Sequence, residues 1–358
     1  MCVRCGDGGK KLRILHLYKN YAPIIGGIEN HIKMLAEGEA AYGMETTVLV
    51  ANESGATVRE TIHGVQVVRA ARVISAASTP FSLAMALEGM RLAPDVVNLH
   101  MPYPPGDIVA RAVRGRPALV LTYHSDVVRQ QRLLRVYRPV LQQTLARADC
   151  IIASSAAYIA SSPFLRGWER KCRVVPYGVD NARFGVVEPK AIAQIRTAAR
   201  GPVLLCVGVL RYYKGLHILL EAMRELDATL IIVGEGSERD HLHPQAEEIG
   251  VAERVHFVGR VPDSELPAYY HAADVFVLAS HLRAEAFGIV LLEAMAAGLP
   301  LVTTEIGTAT SEVNVHGQTG FVVPPNDPHA LARALRVLLA DQQLRAFFGR
   351  NARQRVIV

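Results

Sequence analysis

At 358 residues, half of them hydrophobic and only 6% aromatic, the chain is too long for one ordinary core and suits two α/β domains of roughly 150–180 residues. No apolar run reaches the ~18–20 residues of a membrane-spanning helix, and the start MCVRCGDGGKKLR lacks the apolar core of a secretory signal. The net charge of +6 is uneven: residues 1–185 hold 23 Lys and Arg against 14 Asp and Glu (+9) and the remainder 16 against 19 (−3), which points the first half toward an anionic acceptor or membrane surface.

Nucleic acid is disfavoured as a partner, because no aromatic–basic interleaving or binding motif accompanies the charge. Cys2 and Cys5 form a lone CxxC with no second pair, so a zinc site is not expected there. All five cysteines suit a reduced, cytoplasmic setting.

Short β-branched runs alternate with helical stretches, the pattern of parallel sheets crossed by helices. In the first half strands are predicted over 13–17, 45–51, 65–69, 96–100, 118–123, 150–154 and 173–176. After the first of them comes a loop with Gly26 and Gly27 that opens an amphipathic helix, where backbone can approach a diphosphate closely. His16, His100 and His124 stand in or at the ends of strands; His16 reads as no more than a strand residue. Asp126 follows His124 and begins a helical stretch bearing Arg129, Arg132, Arg135, Arg138 and Arg147. Those arginines make either a solvated face or a patch for lipid phosphates. The first domain is expected to close near residue 185.

The second half restarts with strands over 203–209, 229–234, 255–258, 275–278, 301–304 and 320–323. Just past the first of these, Arg211 and Lys214 are placed to neutralise a leaving diphosphate. Two glycine-rich turns follow, one with Gly234 and Gly236, the other Gly259-Arg260-Val261. The stretch LASHLRAEAFGIVLLEAMAAGLPLV then puts the carboxylate of Glu285 before a tight Phe287-Gly288 entry into a helix. Backbone N–H groups of Phe287, Gly288 and Ile289 at that helix start are a seat for a diphosphate. Glu285 can reach sugar hydroxyls, and Glu293, eight positions on, a ribose.

This segment, with Arg211-Tyr-Tyr-Lys-Gly215 before it, resembles the donor-binding signature of the retaining glycosyltransferases of family 4, and the likeness extends over nearly the whole chain. The resemblance implies an α/β chain of the GT-B fold, two doubly wound Rossmann-like domains (1–185 and 186–358) facing a central cleft. By that likeness Glu285 meets the donor sugar, Glu293 the ribose, and Gly26 and Gly27 the donor phosphates. Gly234, Gly236, Arg260 and Val261 line the nucleobase pocket. His124 lies near the sugar's 6-hydroxyl, with His100 and Asp126 on the acceptor side. Val209 stands where the family usually has Arg, and the family's last helix, crossing back to the first domain, is expected to be missing.

The expected activity is transfer of a hexose from a nucleotide diphosphate sugar to a hydroxyl acceptor, lipid-linked or anionic, in polysaccharide or glycolipid assembly. GDP-mannose is the first choice of donor, because these motif versions resemble bacterial mannosyltransferases of surface polysaccharide; UDP-hexoses come next. No Asp-x-Asp occurs, so no metal and no other cofactor is expected. The expected location is cytoplasmic, at the inner face of the membrane. A NAD dehydrogenase lacks its GxGxxG turn here, and a folded but non-catalytic nucleotide-sugar-binding module is the rival of another class.

Overall fold

The computed structural model describes residues 10–24, 26–72, 74–76, 79–126, 131–185 and 187–357. Cys2, Cys5 and Arg129 lie outside them. The chain divides into two compact units, Met1–Ser154 with Ser162–Val175, and Ser155–Ser161 with Pro176–Val358.

The first unit is built on β1 (Arg13–Leu17), β2 (Glu45–Ala51), β3 (Val58–Ile62), β4 (Val65–Ala70), a small pair β5 (Ile74–Ala76) and β6 (Thr79–Phe81), then β7 (Val96–Met101), β8 (Ala118–Tyr123), β9 (Cys150–Ala153) and β10 (Cys172–Val174). The main sheet has the order β10-β9-β8-β7-β1-β2-β4-β3. Every pairing in it is parallel except β3 on β4. The later part of β2, Val48–Ala51, is continuously apolar and buried, as a strand covered by helices on both faces requires.

The β3–β4 hairpin is absent from the sequence-based expectation. Its strand VRETI is polar and mostly exposed, as an edge strand can be. The signal was in the turn: His63 and Gly64 both have positive φ, 46° and 84°, as a two-residue hairpin turn demands.

The second unit carries β11 (Val203–Val207), β12 (Thr229–Val233), β13 (Val255–Gly259), β14 (Val275–Leu278), β15 (Leu301–Thr304) and β16 (Gly320–Val323). Their order is β13-β12-β11-β14-β15-β16, all parallel. Every residue of β11, β12, β14 and β15 is buried. Side chains divide between two cores by alternation: Leu204 and Cys206 join Leu219 and Leu335 on one face, whereas Val203, Leu205 and Val207 join Phe276 and Leu291 on the other. Each unit is thus a doubly wound Rossmann-like layer structure, as expected.

By packing, residues from Pro176 onward and Ser155–Ser161 cluster with the second unit. Phe184 sits in the second unit's core, its ring edge-on to Tyr270, and its carbonyl meets Nε2 of His271 at 2.8 Å. Tyr177 packs edge-on against Phe287, ring centroids 4.8 Å apart. The segment 176–185 therefore belongs with the residues that follow it.

Candidate active site

In an open parallel sheet the ligand-binding crevice forms where the strand order reverses, beyond the carboxyl ends of the strands. In the second unit that point lies between β11 and β14, which pair directly. The two loops leaving these strands are the ones that carry Lys214 and Glu285.

Their side chains form an ion pair in which both residues are buried. Ser280 Oγ donates to the same Glu285 oxygen at 3.4 Å. Burial works against the Lys214 ammonium, but the Glu285 carboxylate and the neighbouring Tyr213 outweigh it and hold the pKa above the usual lysine value. The Lys214 ammonium thus persists at neutral pH and suits a phosphate, while the oxygens of Glu285 suit hydroxyls.

The loops are joined by backbone. Gly215, at φ 67°, lies so close to the β14 loop that a Cβ there would stand 2.0 Å from the Ala279 carbonyl. His281, which the sequence reading passes over, donates its backbone N–H to the Tyr213 carbonyl at 2.9 Å. Its ring meets the Tyr212 carbonyl at 3.0 Å and Asn326 at 2.8 Å. This latch fixes the turn Tyr212–Lys214; no local motif announces it.

Gly288 (φ 77°) precedes the helix Ile289–Ala296, and no side chain caps that helix. Among the described residues, no acceptor meets the backbone N–H of Phe287 or Gly288. The helix start is therefore an open anion seat. Half-buried Glu293, farther along the helix, accepts from the Tyr270 hydroxyl at 2.6 Å. Burial raises the Glu293 pKa, and the Tyr270 hydrogen bond only partly offsets that. A carboxylate has about four acceptor positions, so a ribose can still bind there.

Gly234 and Gly236 hold the β12 loop against the β11 loop. A Cβ at Gly234 would lie 2.1 Å from the Gly208 carbonyl, and one at Gly236 2.3 Å from the Leu210 carbonyl. Val261 packs against the core that contains Tyr270. Arg260 and Arg211 are exposed cations, and Val209 is 42% exposed in the same loop as Arg211.

In the first unit the order reverses between β1 and β7. Gly26 caps the helix Gly27–Ala41, and the buried Glu29 carboxylate folds back so far that a Cβ on Gly26 would lie 2.2 Å from it. A side-chain carboxylate thus already sits at that helix's positive end. His16, His100 and His124 are buried and bonded in series, His16 Nδ1 to His100 Nε2 at 3.0 Å and His100 Nδ1 to His124 Nε2 at 2.9 Å.

His100, expected on the acceptor side, is 0% exposed, and both its ring nitrogens bond other imidazoles. Asp126 is buried and accepts from Tyr123 at 3.1 Å and Ser162 at 2.6 Å, bracing the end of β8. Among the described residues, no group of three His, Cys, Asp or Glu side chains is arranged to hold a metal ion.

A family model described as Glycosyltransferase Family 4 matches residues 25–183, and one described as Glycosyl transferases group 1 matches residues 187–355. The chain is 40% identical over 347 residues to the D-rhamnosyltransferase WbpZ of Pseudomonas aeruginosa, covering 96% of this chain and 91% of that protein. It is 36% identical over 347 residues to the O-antigen chain mannosyltransferase C of Escherichia coli, covering 96% and 93%. Among solved structures, a sucrose-phosphate synthase from Thermosynechococcus elongatus matches with a TM-score of 0.83 at 24% identity, covering 97% of this chain and 94% of that one, a likeness of fold.

Proposed function

From the premise that the chain belongs to glycosyltransferase family 4 and is a retaining hexosyltransferase of the GT-B fold, we propose that it transfers mannose from GDP-mannose to a hydroxyl acceptor in surface-polysaccharide or glycolipid assembly. The observation that carries this reading is the Lys214–Glu285 pair at the strand-order reversal, beside the open start of the helix Ile289–Ala296. Lys214, with Arg211 and the N–H groups of residues 287–289, neutralises the diphosphate as it leaves. Glu285 binds the sugar hydroxyls and Glu293 the ribose. With these cations in place the transfer proceeds without a divalent ion.

Mannose is favoured because the two relatives above are a mannosyltransferase and a D-rhamnosyltransferase, and D-rhamnose is 6-deoxymannose. The test is thermal shift with GDP, UDP, ADP and NAD, then transfer from GDP-mannose with and without EDTA. A selective GDP shift with EDTA-insensitive transfer is expected. A UDP shift would replace the donor by a UDP-hexose, and loss of transfer in EDTA would remove the metal-free mechanism.

We further propose that the acceptor is lipid-linked and that the first unit docks on an anionic membrane at the cytoplasmic face. No helix among the described residues is long and apolar enough to cross a membrane. Instead Leu83, Leu87 and Met90 lie at i, i+4 and i+7 on one exposed stripe of the helix Leu83–Arg91. Ile108, 62% exposed, projects from the neighbouring helix Pro104–Ala112, and Arg91, Arg111 and Arg114 are exposed cations of the same elements and the loop after them. Apolar side chains among cations suit an anionic lipid surface. Flotation with anionic but not neutral vesicles, reduced by Leu83→Asp, is expected; equal binding to both would overturn the docking.

A further inference from the structure

The loop after β13, residues 260–263, leaves the outermost strand of the second sheet, which pairs with β12 alone. The neighbouring loop begins at Gly234, whose N–H donates to the Gly259 carbonyl at 2.8 Å. Beyond that point the support is thin. Gly259 turns the chain at φ 79°, Pro262 has no N–H to give, and of residues 260–263 all but Val261 are exposed. Among the described residues, no acceptor meets the backbone N–H of Arg260 or Val261. Two such donors at the carboxyl end of a strand suit a nucleobase carbonyl or ring nitrogen. They position a base only as well as their loop is held.

Among the described residues, one hydrogen bond from a residue distant in sequence reaches this loop. Nη2 of Arg183 donates to the Asp263 carbonyl at 2.8 Å and lies 3.5 Å from Oδ1 of the same residue. A guanidinium always donates and a carbonyl always accepts, so this bond does not depend on the titration of either residue.

Arg183 is itself fixed from the core. Its guanidinium carbon lies 5.3 Å from the ring centre of Phe184, within cation–π range. That ring is fully buried and edge-on to Tyr270, centroids 5.5 Å apart. Tyr270 stands on the helix Leu266–Ala272 into which the loop leads, and His271 beside it meets the Phe184 carbonyl. The single helical turn Asn181–Phe184 thus grips the loop at Asp263 and the helix after it at Tyr270 and His271.

We propose that Arg183 is a positioning residue for the donor: it braces residues 260–263 so that the backbone N–H groups of Arg260 and Val261 are aligned for the nucleobase. This rests on the reading of those two residues as lining the nucleobase pocket. Arg183 acts through the loop, so its effect is confined to ligands that carry a base.

The test is calorimetry of the full chain with GDP, UDP and ribose 5-diphosphate, which has no base. The wild type is expected to bind the better nucleotide about tenfold or more tightly than ribose 5-diphosphate. In Arg183→Ala that ratio should shrink about tenfold, the scale of one hydrogen bond to the base. Affinity for ribose 5-diphosphate should stay unchanged, which also reports an intact fold. Arg196→Ala breaks another arginine–aspartate pair of the same unit, with Asp274 at 2.8 and 3.0 Å, and should keep the wild-type ratio. An unchanged ratio in Arg183→Ala, or equal weakening of all three ligands, overturns the proposal, as does a ratio that shrinks equally in Arg196→Ala. A wild type that binds ribose 5-diphosphate as tightly as either nucleotide would remove the base-pocket reading itself, and the brace with it.

Discussion

Lys214 and Glu285, 71 positions apart, form a buried ion pair that neither loop could hold alone. Removing one partner strands a charge away from water, which costs about 3–5 kcal/mol. Lys214→Ala and Glu285→Ala should both lower the unfolding midpoint in urea. The double variant Lys214→Met/Glu285→Leu should recover most of that loss yet transfer no sugar. A double variant as unstable as either single one would mean that the pair is not isolated.

The two halves of the pair should separate in binding. Glu285→Gln keeps the side chain's shape and is expected to lower kcat about 10²–10³-fold, the scale of a lost transition-state contact, while nucleotide affinity measured by calorimetry stays within a few fold. Lys214→Ala should weaken nucleoside diphosphates far more than nucleosides. Equal losses for both ligands would count against a phosphate role.

Tyr270 donates to Glu293, whose pKa burial already raises. Tyr270→Phe removes the hydrogen bond that restrains this rise, at about 1 kcal/mol of stability. If ionised Glu293 holds the ribose, nucleotide affinity in the variant should begin to fall at a higher pH than in the wild type as the solution is acidified. Superimposable pH profiles would detach Glu293 from the ribose.

Three histidines of the first unit carry depressed pKa values. Burial lowers His31 to about 4 and holds His100 and His124 well below the ordinary value. Their surroundings include His16 and Glu39. Unfolding restores values near 6.5, so between pH 6.5 and about 4 the unfolded chain binds more protons. Their contribution to stability is complete above pH 6.5 and is lost as the pH falls through that window. Urea midpoints at pH 7.5 and pH 5 should show the decline, and His31→Phe should flatten it.

Gly215 and Gly43 both have positive φ, 67° and 85°, but differ in what a side chain would meet. A Cβ at Gly43 has nothing within 4 Å, whereas one at Gly215 collides with the Ala279 carbonyl. Gly43→Ala should cost about 1 kcal/mol, the penalty of left-handed backbone. Gly215→Ala should cost clearly more and weaken nucleotide binding, because the Lys214 loop must move. Similar melting temperatures for the two would show that the loop yields easily.

Local pattern determined a good deal. The apolar runs of β1, β11 and β14 reveal parallel strands because covered sheets need continuous apolar faces, and the motif from Glu285 through Glu293 marks a donor-binding loop and helix because its residues are contiguous. The packing of Tyr177 and Phe184 with the second unit's core was not legible, since it depends on which surfaces the folded sheet and its helices offer them. Nor was the role of His281 or the series from His16 to His124. Those relationships arise from register and from loops that converge at a strand-order reversal. Hydrogen bonds between residues tens of positions apart leave no periodicity in the chain; they exist only once the sheets have set which side chains share a face.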